Sequence, residues 1–166
     1  KALYNTASEF NFECVYENGV ILHVASPDRA LLPEVEASMK AAGSKKPFDH
    51  VGILFEGDAG KWIYVNRGKI SASDPAILKE KITPSEIHLY ESKDHTDNFL
   101  SSIYDGKPTA APVEVSHRSI TVAHLANIAL RTGSASLKWN PQTEKIDGNE
   151  AASNLLSKEW SKPWAL

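Results

Sequence analysis

The sequence predicts an α+β fold: an open, mostly antiparallel sheet with helices packed on one face. Three observations predict it. Alternating apolar runs come in hairpin-like pairs, with Asn18-Gly19, Gly57-Asp58-Ala59-Gly60 and Arg67-Gly68 between them. The strand patterns come mostly first and the longer helical patterns mostly later. That order suits an antiparallel sheet with segregated helices rather than alternating βα units. Finally, 166 residues with 42% hydrophobic and 23% charged side chains suit one soluble domain with a core of its own, so residues 1–166 are expected to form a single domain.

The first hairpin is the clearest local signal. Phe10, Phe12, Cys14 and Tyr16 alternate with Asn11, Glu13, Val15 and Glu17, and a second alternation runs through Val20, Leu22 and Val24. Asn-Gly between such runs favours a tight turn in which both residues take positive φ. After a polar stretch at 27–50, with a short helix expected at 32–42, come strands at 51–56, 61–66 and 69–72. Joined by short turns, these three form an antiparallel meander. Ser73-Asp74-Pro75 opens a short helix, and 86–90 reads as a further short strand.

Two longer helices follow. Asp94 caps one over 95–104, with Phe99, Leu100 and Ile103 as its buried stripe and Gly106 as its stop. Ser116 is the expected cap of the second, over 117–131, which ends at Gly133. Its wide apolar face (Ile120, Val122, Ala123, Leu125, Ala126, Ile128, Ala129, Leu130) suggests burial on more than one side. A strand at 137–139, a turn at Asn140-Pro141, a short helix near 150–156 and an extended tail at 160–164 complete the pattern.

Composition excludes several functions. A net charge of −3 with no run of five like charges argues against a nucleic-acid groove or a basic membrane patch. Nothing approaches the ~20 apolar residues that span a bilayer. Cys14 is the only cysteine, so neither an internal disulfide nor a thiolate metal cluster can form. Neither G-x-S-x-G nor G-x-G-x-x-G occurs. Gly57-Asp58-Ala59-Gly60-Lys61 lacks the spacing of a phosphate loop and leads into a strand, so a plain hairpin turn is the better reading. His117 and His124 lie seven apart, not four with a Glu between, and no metal is expected there. Capping accounts for Asp94 and Asp97 around His95. The ligand-contact candidates are Asn66 and Arg67 at a strand end and His117 and Arg118 at a helix start, where free N–H groups meet anions or hydroxyls. The strands at 51–56 and 61–66 carry apolar residues at successive positions, so both sheet faces are apolar. A subunit contact through the open face is therefore expected, with Trp62 and Tyr64 as interface candidates.

Several long strings, in order, resemble the second domain of the glucose–fructose oxidoreductase / inositol dehydrogenase (Gfo/Idh/MocA) family, in a bacterial subgroup. They are Gly52-Ile53-Leu54-Phe55-Glu56-Gly57-Asp58-Ala59-Gly60-Lys61-Trp62-Ile63-Tyr64-Val65-Asn66-Arg67-Gly68; His95-Thr96-Asp97-Asn98-Phe99-Leu100; Pro112-Val113-Glu114-Val115-Ser116-His117-Arg118-Ser119, followed by His124-Leu125-Ala126-Asn127-Ile128-Ala129; Leu137-Lys138-Trp139-Asn140-Pro141-Gln142-Thr143-Glu144; and the closing Pro163-Trp164. The resemblance runs from about residue 3 to the end, weakest over 27–50. It implies the C-terminal substrate and oligomerisation domain of an oxidoreductase. A separate N-terminal Rossmann domain, absent from this chain, would bind NAD or NADP. The implied reaction is hydride transfer on a sugar, cyclitol or related polyol. It also implies a homo-oligomer formed through the open sheet face.

No catalytic residue carries over from the family. Its Glu-Lys-Pro lysine has no counterpart, since Glu80-Lys81 is followed by Ile82 and the Lys-Pro pairs at 107–108 and 162–163 lack the Glu. Its D-x-G-x-H segment falls before residue 1. The chain alone is expected to be inactive and to hold no cofactor. Bacterial cytoplasm and periplasm both stay open, since an export leader would lie upstream. The alternative is a stand-alone module for dimerisation or carbohydrate binding, without catalysis. A self-sufficient hydrolase has no nucleophile–base spacing to support it.

Overall fold

A computed structural model describes residues 7–26, 51–66 and 68–158. It is α+β, and every strand pair among the described residues is antiparallel. The chain divides into two compact units, Ser8–Tyr90 and Glu91–Leu166 with Lys1–Ala7. Among the described residues the strands form three separate sheets, of two, three and two strands, rather than one open sheet.

In the Ser8–Tyr90 unit, β1 (Asn11–Val15) and β2 (Ile21–Ala25) form the first hairpin, with Phe12 opposite Val24 and Cys14 opposite Leu22 on its half-buried face. The expected turn forms, with one correction. Gly19 takes φ 84° while Asn18 does not enter the left-handed region. The Gly19 amide donates to the Tyr16 carbonyl at 2.9 Å, and the Tyr16 amide donates to the Val20 carbonyl at 2.9 Å. This is a three-residue loop closed by a left-handed glycine, which needs positive φ at only one position. Asn18 contributes its side chain instead, its Oδ1 accepting from the Val20 amide.

The meander is present as β3 (Gly52–Glu56), β4 (Trp62–Asn66) and β5 (Lys69–Ala72) in the order β3-β4-β5. Its register sorts the apolar residues onto two faces. Ile53, Val65 and Ile70 stand in one cross-strand row and Phe55, Ile63 and Ala72 in the next. The opposite face carries Leu54, Tyr64 and Ser71, with Trp62 opposite Glu56. Asp74 opens a single 3-10 turn (Ile77–Lys79) by accepting from the Ala76 amide. The strand expected at 86–90 does not form. Its alternation finds no partner strand among the described residues, and Ile87 and Leu89 stay about nine-tenths exposed. A strand pattern needs a ladder to join, so period alone does not make a strand.

The second unit holds α1 (His95–Asp105), α2 (Val113–Thr132), the hairpin of β6 (Lys138–Asn140) and β7 (Lys145–Asp147), and a short α3 (Glu150–Ser153). Asp94 caps α1 as expected, its side chain accepting from the Asp97 amide at 2.8 Å. The expected buried stripe of α1 is reversed, however: Phe99, Leu100 and Ile103 are exposed. The more enclosed side holds Asn98, Ser101 and Ser102, where Asn98 Oδ1 accepts from the Ala110 amide. Helix α2 starts earlier than expected, with Pro112 at the cap position and the Ser116 amide already donating to the Pro112 carbonyl. Pro112 supplies the fixed φ and lacks only a donor the helix start does not need. The core of this unit is Ile128, Ile146 and Ala152, flanked by Leu125, Leu137 and Trp139. Strand β7, unforeseen in the sequence, supplies Ile146 to that core. The segment expected as a helix at 32–42 and the tail at 160–164 lie outside the described residues.

Candidate functional site

The second unit joins two of the candidate residues in one polar cluster. His117 and Arg118 project from the second turn of α2, and both reach Glu144 in the β6–β7 turn. His117 Nε2 lies 2.9 Å from Glu144 Oε1. An ionised carboxylate only accepts, so Nε2 carries the proton. Arg118 Nη1 donates to the Pro141 carbonyl at 2.8 Å and lies 3.4 Å from the same Glu144 oxygen. Its Nε donates to Glu114 Oε1 at 2.8 Å, one helical turn back. All four side chains are substantially exposed.

The turn that presents Glu144 is built locally. Asn140 Oδ1 accepts from the amides of Gln142 and Thr143, folding the chain back after Pro141. Glu144 then takes φ 53°, a left-handed conformation that costs a non-glycine residue about 1–2 kcal/mol. The contacts from His117 and Arg118 offset part of that cost. Neither Glu114 nor Glu144 is among the ligand-contact candidates of the sequence, although both lie in strings that carry the family resemblance. Glu114 is legible in retrospect as an i, i+4 partner of Arg118. Glu144 carries no local signal, because its partners lie 26 and 27 residues away.

Asn66 belongs to the other unit, at the end of β4, with its Oδ1 enclosed and, among the described residues, without a hydrogen-bond partner. Arg67 lies outside the described residues. Of the two interface candidates, Trp62 is half-buried and Tyr64 is only 1% exposed. Both stand on the opposite face from Ile53, Phe55, Val65 and Ile70, which are 56%, 58%, 37% and 57% exposed. The exposed apolar face of the sheet is thus built from aliphatic residues and Phe55, not from Trp62 and Tyr64. Strict alternation along β4 separates the two sets.

Two ionisable groups elsewhere are perturbed. Burial pushes the Cys14 thiol up, which keeps it protonated and weakly nucleophilic. Glu86 is held below the usual carboxylate range by hydrogen bonds from the Thr83 amide and the Thr83 hydroxyl. Among the described residues no group of three or more His, Cys, Asp or Glu is placed to hold a metal ion, and no helix is long and apolar enough to cross a membrane. No family model, curated protein or solved structure matches the chain.

Proposed function

We propose that this chain is the substrate-side and subunit-contact part of an NAD(P)-dependent oxidoreductase of the Gfo/Idh/MocA type, acting by hydride transfer on a sugar, cyclitol or related polyol. The observation that carries the reading is the ordered set of strings that resemble that family, above all the stretch from Pro112 through His117 and Arg118 to Ser119. An α+β chain with an antiparallel meander is compatible with it. So is a sheet face made of Ile53, Phe55, Ile63, Val65 and Ile70, an apolar surface suited to a second copy of the chain.

In this reading the nicotinamide cofactor belongs to the N-terminal Rossmann domain that the resemblance implies, with its parallel βαβ unit and glycine-rich turn. No catalytic step is assigned to residues of this chain. In the substrate role, His117 and Arg118 contribute donors beside the Glu144 carboxylate, a mixed set that matches hydroxyl groups.

The test has two arms. Calorimetric titration of the chain with NAD and with NADP is expected to give no saturable heat. The protein encoded by the whole reading frame is expected to reduce NAD or NADP with at least one member of a sugar and cyclitol panel. Micromolar cofactor binding by the chain itself, or a whole reading frame without a G-x-G-x-x-G strand–turn–helix, overturns the reading.

A further inference from the structure

Helix α2 is anchored unevenly. From Val113 to Ile120 every residue is exposed, and Val113, Val115 and Ile120 are 85%, 58% and 51% exposed. The buried residues, Ala126 and Ile128, lie in the second half of the helix. Pro112 offers no side-chain cap to the first turn. The side-chain hydrogen bonds that reach from this exposed stretch to the β6–β7 turn are Arg118 to the Pro141 carbonyl, and His117 and Arg118 to Glu144.

We propose that the His117–Arg118–Glu144 cluster is a latch that makes the first two turns of α2 and the β6–β7 turn open and close as one unit. Helix starts without burial or a cap fray readily. A left-handed glutamate is equally short of intrinsic support. Each weak element here holds the other through Arg118. Because the groups are exposed and charged, the latch is sensitive to ionic strength, unlike the core around Ile128 and Ile146. This holds whether or not the oxidoreductase reading does, since it rests only on contacts within the second unit.

Amide hydrogen exchange on the intact chain tests it. Arg118→Met keeps much of the side chain's bulk and removes its donors. The expected result is faster exchange, by roughly two- to fivefold, at amides 117–121 and at Gln142 and Thr143 together, with amides 125–129 unchanged. Glu144→Gln is the second variant, which leaves the fold's apolar contacts alone and should accelerate the same two groups. Raising salt to about 1 M should do so in the unmodified chain as well. Acceleration at the helix start without the turn, at the turn without the helix start, or at neither, overturns the latch.

Discussion

The phenol ring of Tyr64 lies directly over Gly52, two residues along from its cross-strand partner Leu54. A Cβ placed on Gly52 would stand 2.6 Å from Cζ and 2.7 Å from Cε2 of that ring. Both residues face the same side of the sheet, as diagonal neighbours on adjacent strands do. The ring covers backbone that a glycine would otherwise leave bare. Tyr64 is the largest side chain fully buried among the described residues, so it has little room to retreat.

Gly52→Ala should therefore destabilise the meander by about 1–3 kcal/mol, the usual cost of overpacking. Combining it with Tyr64→Leu should recover part of that loss relative to the sum of the single changes. Chemical denaturation of the three variants and the parent measures this coupling. Strict additivity would remove the close contact as the cause.

The exposed row pair on the other face gives the subunit prediction. The chain should be dimeric or larger by light scattering at micromolar concentration. Ile53→Lys with Phe55→Lys should yield a folded monomer whose stability is within about 0.5 kcal/mol of the parent's own folded unit, because both positions face outward. Tyr64→Glu should instead unfold the sheet, since it places a carboxylate in a buried site. A monomeric parent chain would count against the subunit contact.

Capping separates two positions that look alike in sequence. Asp94→Ala should cost about 1 kcal/mol, because it removes the acceptor of the Asp97 amide. Ser116→Ala should stay within about 0.5 kcal/mol, because Ser116 sits inside α2 rather than at its cap. Thermal unfolding of both variants decides the matter, and a larger loss for Ser116→Ala would place the helix start wrongly.

Glu86 gives a pH dependence confined to one turn. Its folded-state value is lowered, so the hydrogen bonds with Thr83 are present above the usual carboxylate range and are lost as pH falls through the lowered value. The Thr83 amide resonance should titrate at that lower pH. In Glu86→Gln the titration should vanish while the global unfolding transition hardly moves. A Thr83 shift at the ordinary carboxylate pH would contradict the hydrogen-bonded turn.

By itself the sequence determined what depends on neighbours within a few residues. Asn18-Gly19 specifies a hairpin, the three short runs between 51 and 72 specify a meander, and Asp94 and Gly133 mark a helix start and a helix end. These features follow from side-chain periodicity and local backbone preference, which short segments carry whole. The tertiary structure alone decided which apolar face is covered. Phe99, Leu100 and Ile103 have the spacing of a buried stripe and are exposed, while Tyr64, one of four successive apolar residues, is enclosed. It alone also brought Glu144 to His117 and Arg118 and left 86–90 without a partner strand among the described residues. Burial, long-range ion pairing and ladder formation each depend on groups distant in the chain, and neither period nor propensity encodes which distant group arrives.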